Sequence, residues 1–462
     1  MRDPFSPLRL QEVAGLLDGA VSGADVAFTA VATDSRRLPE GALFVALTGP
    51  NFDGHDFVAA ARERGACAAL VERSVADPLP QLRVVDTRLA LGRLAAAWRA
   101  RFTGPLIALT GSNGKTTLKE MIAAILQRRG PTLATEGNLN NDLGVPLTLL
   151  RLTGEHAYAA IEMGANHHGE IAYLTGLARP DVAVVNNAGP CHLEGFGDVA
   201  GVARGKGEIF QGLGPEGVAI INRDDVYADY WVGLNAGRRM MDFGLDQPAR
   251  VSGRVLDPAR NRFRLVAGEG EIEITLPLSG RHNVRNALAA AAAALAVGAT
   301  LAEVRQGLES LRGVGGRMQH LPGRHGGAVI HDAYNANPAS LAAALATVGA
   351  EPGRKWLVLG DMFELGPTAD ALHAQSGREA RAAGFERLYA VGEHSRAAAL
   401  AFADGGGHYE NTAALIADLI RDLQLGEPAT VLIKGSRGMR MERVAAALAD
   451  AGEGLTNPEG HG

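Results

Sequence analysis

Cysteine is nearly missing from this chain: Cys67 and Cys191 are the only two among 462 residues, and they stand far apart in sequence. No disulfide framework follows from such a pair. Long apolar runs are missing as well. The longest, Ala287 to Val297, is alanine-rich and too short to span a bilayer. The opening Met1-Arg2-Asp3-Pro4 lacks the apolar stretch of a secretory signal. Net positive charge is missing too. A formal charge of −6 argues against a broad nucleic-acid or membrane surface, so an anionic substrate must be held by local sites. A cytoplasmic protein with no nucleic-acid partner and no membrane insertion is the expectation. Lysine is the last scarcity: five of the 45 basic side chains are Lys, namely Lys115, Lys119, Lys206, Lys355 and Lys434. Arginine is planar, bulky and always charged, whereas lysine is a slim point charge that can lose its proton and react. A lysine that persists here marks a position where arginine cannot serve. Lys115, Lys206 and Lys434 are read as functional, Lys119 and Lys355 as surface remnants.

What is present suffices for substantial cores, with 47% hydrophobic and 21% charged residues. The length suits roughly two to four domains. Three regions separate by pattern. Residues 1–103 hold short strands such as Leu43–Leu47 and Ala68–Val71, a helix near Phe57–Arg64, and a closing helix, Leu89–Phe102, before the linker Thr103-Gly104-Pro105. Residues 104–322 alternate strand-like runs at Tyr158–Ile161, Val182–Val185 and Val218–Ile221 with helical stretches, the rhythm of a parallel sheet with crossover helices. Polar residues follow these runs (Glu162, Asn186, Asn187, Asn222), where open α/β sheets bind ligands. The alternating stretch Glu271–Leu276 suggests a small antiparallel insertion before a helix starting near Asn283. Residues 323–451 repeat the rhythm with strands at Val329–Asp332, Trp356–Leu359, Leu388–Val391 and Val431–Ile433, and residues 452–462 read as a disordered tail.

The most informative stretch is Leu109-Thr-Gly-Ser-Asn-Gly-Lys-Thr-Thr117. It follows the apolar run Leu106–Leu109 and precedes a helical pattern with Leu118, Met121, Ile122, Ile125 and Leu126 on one face. Strand, glycine-rich turn, lysine, hydroxyl and helix make a phosphate-binding loop. In it Thr110, Gly111, Ser112, Asn113, Gly114 and Thr117 would surround the anion. Gly111 and Gly114 turn backbone N–H groups inward, and the helix N-terminus adds partial positive charge. Lys115 would reach the outer phosphates and Thr116 would ligate Mg²⁺. Glu162, just after a strand, suits an acidic Mg²⁺ ligand; the plainer reading is a solvated strand-end carboxylate.

The loop departs from the general pattern because Leu109 stands where the first glycine should be, and its shorter form resembles that of the Mur ligase family. Further stretches resemble the same family: Thr135–Pro146, Ile161–Ile171, Val185–Asn187 with His192–Phe196, Lys206–Phe210, Gly280–Leu288 and His331–Pro338. Asp332-Ala-Tyr-Asn-Ala-Asn-Pro338, Gly360-Asp-Met-Phe-Glu-Leu-Gly366 and Lys434-Gly-Ser-Arg437 resemble most the branch that joins D-Ala-D-Ala to UDP-N-acetylmuramoyl-tripeptide. The resemblance implies a three-domain α/β architecture: a domain for the UDP-linked substrate, a central phosphate-loop domain with a parallel sheet, and a Rossmann-like C-terminal domain for the incoming amine. It implies an ATP- and Mg²⁺-dependent ligase acting through an acyl phosphate in peptidoglycan synthesis, working as a monomer.

Site residues carry over position by position. Lys115, Glu162, His192 and Lys206 are implied in catalysis, with Thr116 and Glu162 at a first Mg²⁺ and His192 and Lys206 at a second. A lone histidine is otherwise usually structural, and Mg²⁺ prefers oxygen. The matching lysine in much of the family carries a carbamate, which arginine cannot form; an unmodified Lys206 binding phosphate or carboxylate is the alternative. Asn286, Arg317 and Asp332 match nucleotide contacts, although Asn286 could instead serve a helix N-terminus. Asp34, Ser35 and Arg36 match a uridine-contacting segment. Asn138, Asn140 and Asn141 would line the muramoyl side or simply stabilise their loop. Lys434 or Arg437 would hold the dipeptide carboxylate, with Asn335 and Asn337 shaping that pocket. Two other readings are weighed. A diamino-acid-adding ligase should carry Asp-Asn-Pro-Arg, absent here, and folylpolyglutamate synthase lacks the separate uridine domain, whereas about 100 residues precede this loop. A nucleotide-driven switch would not need Glu162, His192 and Lys206 together.

Overall fold

The computed structural model describes residues 5–258, 260–268, 270–312 and 315–450; the expected tail at 452–462 lies outside the described residues. Among the described residues the chain builds three main sheets, alongside two short ribbons. The first has five strands in the spatial order Ala20–Ser22, Gln81–Arg83, Ala68–Val71, Ala42–Val45 and Ala30–Ala32. Only the Ala20–Ser22 pairing in it is antiparallel.

The second sheet has nine strands. Leu106–Thr110 lies between Tyr158–Glu162 and Val182–Val185, parallel to both. The parallel order continues through Val218–Asn222, Arg239–Gly244 and Val251–Asp257. Leu106–Thr110 is buried along its whole length, as a strand covered on both faces should be. The helix after it, Lys115–Leu126, buries Leu118, Met121, Ile122, Ile125 and Leu126, the face its spacing predicts. These side chains share one core with the helix Arg281–Ala296, whose residues Ala287 to Ala294 are all buried. Small side chains let that helix sit close on the phosphate-loop helix. The strand expected near Glu271–Leu276 runs Gly270–Thr275, and with Arg262–Ala267 it forms the expected antiparallel piece, joined as an edge to the same central sheet. Alternation marks an exposed strand but carries no information on which sheet it joins.

The third sheet has six strands in the order Gln319–Pro322, Ala328–His331, Ala429–Lys434, Arg354–Gly360, Arg387–Val391 and Gly406–Tyr409. All its pairings but the first are parallel. This is the Rossmann-like arrangement expected of the C-terminal region. No helix of the described residues is long and apolar enough to cross a membrane.

A cleft built on the phosphate loop

The carboxyl ends of the central strands open onto a cleft of about 700 Å³, closed from the other side by residues 332–344, Lys434 and Arg437. The phosphate loop forms its floor. Gly114 takes a left-handed φ of +76°, and a Cβ there would lie 2.7 Å from the Asn286 Oδ1. Glycine is therefore required on both conformational and steric grounds. The loop is braced by the segment after Val182–Val185. Asn187 accepts from the Asn113 N–H at 2.9 Å, Asn186 donates to the Asn113 carbonyl at 3.0 Å, and the Ser112 hydroxyl donates to the Gly189 carbonyl at 3.1 Å. Lys115 donates to the Gly111 carbonyl at 2.7 Å, which parks its ammonium at the loop. Thr110 donates its hydroxyl to the Met163 carbonyl at 2.8 Å, and Thr117 lines the cleft.

Glu162 ends its strand almost fully buried. One oxygen accepts from Asn140 at 2.7 Å; the other, Oε2, has no hydrogen-bond partner. A buried carboxylate oxygen left unpaired is costly, and a divalent cation is the partner that suits it. The residues present therefore fit Mg²⁺ at this point. Asn140 is thus tied to the carboxylate, and Asn141 accepts from the Gly144 N–H at 2.8 Å, the loop-stabilising role weighed against a sugar contact. Asn138 is exposed on the cleft wall.

Several expected residues sit in unexpected company. Thr116 does not line the open cleft; its hydroxyl accepts from Arg317 at 2.8 Å, so the expected metal ligand engages the expected nucleotide contact, whose buried Nε is left without a partner. Arg317 also lies over the Tyr334 ring, 4.2 Å from its centroid. Asn286 is not the start of its helix, which Gly280 caps; it accepts from Asn186 at 2.9 Å inside the cleft wall. Lys434 is buried, and its ammonium is engaged by Asp332 at 2.5 Å and by the Asn335 carbonyl at 3.1 Å. Arg437, half exposed at the cleft, is the less committed cation. Asn337 caps the helix Pro338–Gly349 and reaches Asn113 at 2.7 Å across the cleft. Asn335 accepts from the N–H of Ala336 at 2.9 Å. His192 lines the cleft, with its Nδ1 bonded to Glu364.

Lys206 has no exposed surface and touches one acceptor, the Ala165 carbonyl, at 3.4 Å. Burial, with Lys115 nearby, pulls its pKa down to about 7. Asp34, Ser35 and Arg36 lie away from this cleft, where Asp34 caps its own turn and pairs with Arg36 at 3.0 Å. The reading of Lys119 as a surface remnant is wrong: it is 2% exposed, on the inner side of the phosphate-loop helix, with its ammonium on Glu120. Sequence reasoning also gave no role to His282, which lines the cleft and is held near pKa 4 by loss of hydration. The signal was there, inside Gly280–Leu288.

Three family models match in series: the Mur ligase family catalytic domain at residues 27–99, the Mur ligase middle domain at 109–294, and the Mur ligase glutamate ligase domain at 316–437. The UDP-N-acetylmuramoyl-tripeptide–D-alanyl-D-alanine ligase of Escherichia coli is 46% identical over 447 residues, covering 96% of this chain and 98% of its own. That of Bacillus subtilis is 34% identical, covering 91% and 93%. MurF from Acinetobacter baumannii superposes with a TM-score of 0.91 at 38% identity, covering 96% of this chain and 99% of its own. MurF ligase from Thermotoga maritima, solved in complex with ADP, gives 0.79 at 26% identity, covering 90% and 96%. The chain belongs to the Mur ligase family and is of the MurF type.

Proposed function

We propose that this protein is an ATP-dependent amide-forming ligase that joins D-Ala-D-Ala to UDP-N-acetylmuramoyl-tripeptide, giving the pentapeptide precursor of peptidoglycan. One observation carries the reading. The phosphate loop with Lys115, the unpartnered Glu162 oxygen, and Asp332, Arg317 and Arg437 from the C-terminal side all meet at one cleft. The relatives named for this activity support it, as does the ADP in the Thermotoga relative. We assign residues 1–103 to the UDP-linked substrate, the region from 104 to ATP and the C-terminal region to the amine, and we move the boundary expected at 322 to before Arg317, because Gln319–Pro322 is a strand of the C-terminal sheet.

A carboxylate is a poor electrophile. Transfer of the γ-phosphoryl group to the tripeptide carboxylate oxygen breaks its bond to the β-phosphate, releases ADP and turns that oxygen into a leaving group. The uncharged dipeptide amine then attacks the carbonyl carbon; the C–N bond forms, the nitrogen gives up a proton, and the C–O bond to the departing phosphate breaks. Lys115, next to the loop, neutralises charge as the carboxylate and triphosphate approach. Glu162 would hold one Mg²⁺, joined by Thr116 once its hydroxyl is released from Arg317, and His192 with a carbamate on Lys206 would hold a second; bound there, the ions would screen the repulsion between the two anions. Only an uncharged amine adds CO₂. A pKa near 7 leaves much of Lys206 uncharged at neutral pH, which supports a carbamate at this position. With Lys434 committed to Asp332, Arg437 is the group for the dipeptide carboxylate, against which it can form two parallel hydrogen bonds.

The test is isotopic. Tripeptide labelled with ¹⁸O in its terminal carboxylate should deliver one label to the released phosphate. Unlabelled phosphate beside normal amide formation would contradict the acyl phosphate.

A further inference from the structure

The segment Gly360–Gly366 resembles the family yet has no part in the chemistry just described. The structure shows it as a pinned loop after the strand Arg354–Gly360. The Asp361 carbonyl accepts from the Ser436 N–H at 2.9 Å, and the Ser436 hydroxyl accepts from the Phe363 N–H at 2.9 Å. The Met362 N–H donates to His373 Nε2 at 2.9 Å, and His373, fully buried, donates its Nδ1–H to the Ala369 carbonyl at 2.7 Å. Met362 and Leu365 are buried anchors on either side of Glu364. Glu364 itself takes a left-handed φ of +60°, a conformation uncommon for a side chain of this kind.

This loop delivers the Glu364 carboxylate to Nδ1 of His192, 172 residues away in the chain. The backbone of His192 is fixed from its own side: it has a φ of +50°, and its carbonyl accepts from the N–H groups of Gly195 and Phe196 at 3.1 Å. Only the ring torsions and the tautomer are left to set. A carboxylate at Nδ1 sets both, because it accepts the Nδ1–H and leaves the lone pair on Nε2.

We propose that Glu364 is a positioning residue. Through it, the C-terminal domain fixes the orientation and tautomer of His192, so that the imidazole offers a lone pair at Nε2 only while that domain is seated on the phosphate-loop domain. The proposal rests on His192 serving a cation in the ligase reaction. It assigns a task to the Gly360–Gly366 motif, and to Ser436 and His373 as the groups that hold the motif in place.

The test has a readout on the metal-free protein. With ¹⁵N-labelled histidine, long-range ¹H–¹⁵N spectra recorded at rising pH until the signals stop moving report the tautomer. His192 is assigned by the signal lost in His192→Gln. The wild type should show His192 as Nδ1–H, Glu364→Ala should move it toward Nε2–H, and Glu364→Gln, whose amide oxygen still accepts, should keep it. In turnover, Glu364→Ala should lose about 10–100-fold in kcat with the KM for ATP within about two-fold, and Glu364→Gln should recover most of the loss. An unchanged His192 signal in Glu364→Ala would overturn the proposal, as would a rise in KM for ATP with kcat intact, the mark of a mere interface contact. A wild type that makes no amide would defeat the ligase reading alone, since the tautomer result stands without turnover.

Discussion

A lysine with no exposed surface is costly unless it can shed its charge, and Lys206 has both properties: full burial and a pKa of about 7. The sign of the pH effect follows. Below pH 7 the folded and unfolded chains both carry the proton, and the burial cost is present in full. Between about 7 and the ordinary 10.5 the folded state has released a proton that the unfolded chain still holds, so stability rises with pH across that window. In CO₂-free buffer, where Lys206 is a free amine, Lys206→Met should therefore stabilise the fold most at pH 6, by an effect on the order of a few kcal/mol, with the accompanying rise in Tm fading toward pH 10. Thermal scans across this range check it, and a gain that ignores pH would contradict it. The scarcity of lysine made Lys206, Lys115 and Lys434 legible as special. It misjudged Lys119 because a lysine can also be buried by laying its stem on a core and its ammonium on a neighbouring carboxylate.

At the scale of elements, the turn from Leu106–Thr110 into Lys115–Leu126 was readable almost to the residue, since its glycines, its lysine and its apolar face each have a distinct physical cause. Gly114 provides the element's test. An alanine there would take a φ of +76° and press its Cβ on Asn286. Gly114→Ala should cost roughly 1–2 kcal/mol in stability and weaken ATP binding by about ten-fold or more. Gly176→Ala, within the helix Glu170–Ala178 and with nothing near its Cβ, should be neutral or stabilising by roughly 0.5–1 kcal/mol. Calorimetry for binding and for unfolding reads both, and equal behaviour of the two variants would contradict the account. The edge strands Arg262–Ala267 and Gly270–Thr275 were less legible, because pairing partners leave no local trace in an alternating pattern.

Over the whole molecule, the cleft is made by contacts between residues that sequence does not connect. Asn337 meets Asn113, Arg317 meets Thr116, and Glu364 meets His192. Motifs named most of these residues; which touches which was invisible, since each contact depends on how the C-terminal sheet sits over the phosphate loop. That seating changed the reading of two residues: Lys434 is spent on Asp332, and Thr116 is covered by Arg317. It brings the phosphate-loop region and the C-terminal region together at one cleft, whose described lining includes no residue of 1–103. The most direct measurement is of phosphate release and product mass with ATP, UDP-N-acetylmuramoyl-tripeptide and D-Ala-D-Ala, omitting each in turn. The account predicts release that needs both acceptor and amine, with a UDP-N-acetylmuramoyl-pentapeptide in the mass spectrum. Equal release without either substrate, and no new amide, would contradict it.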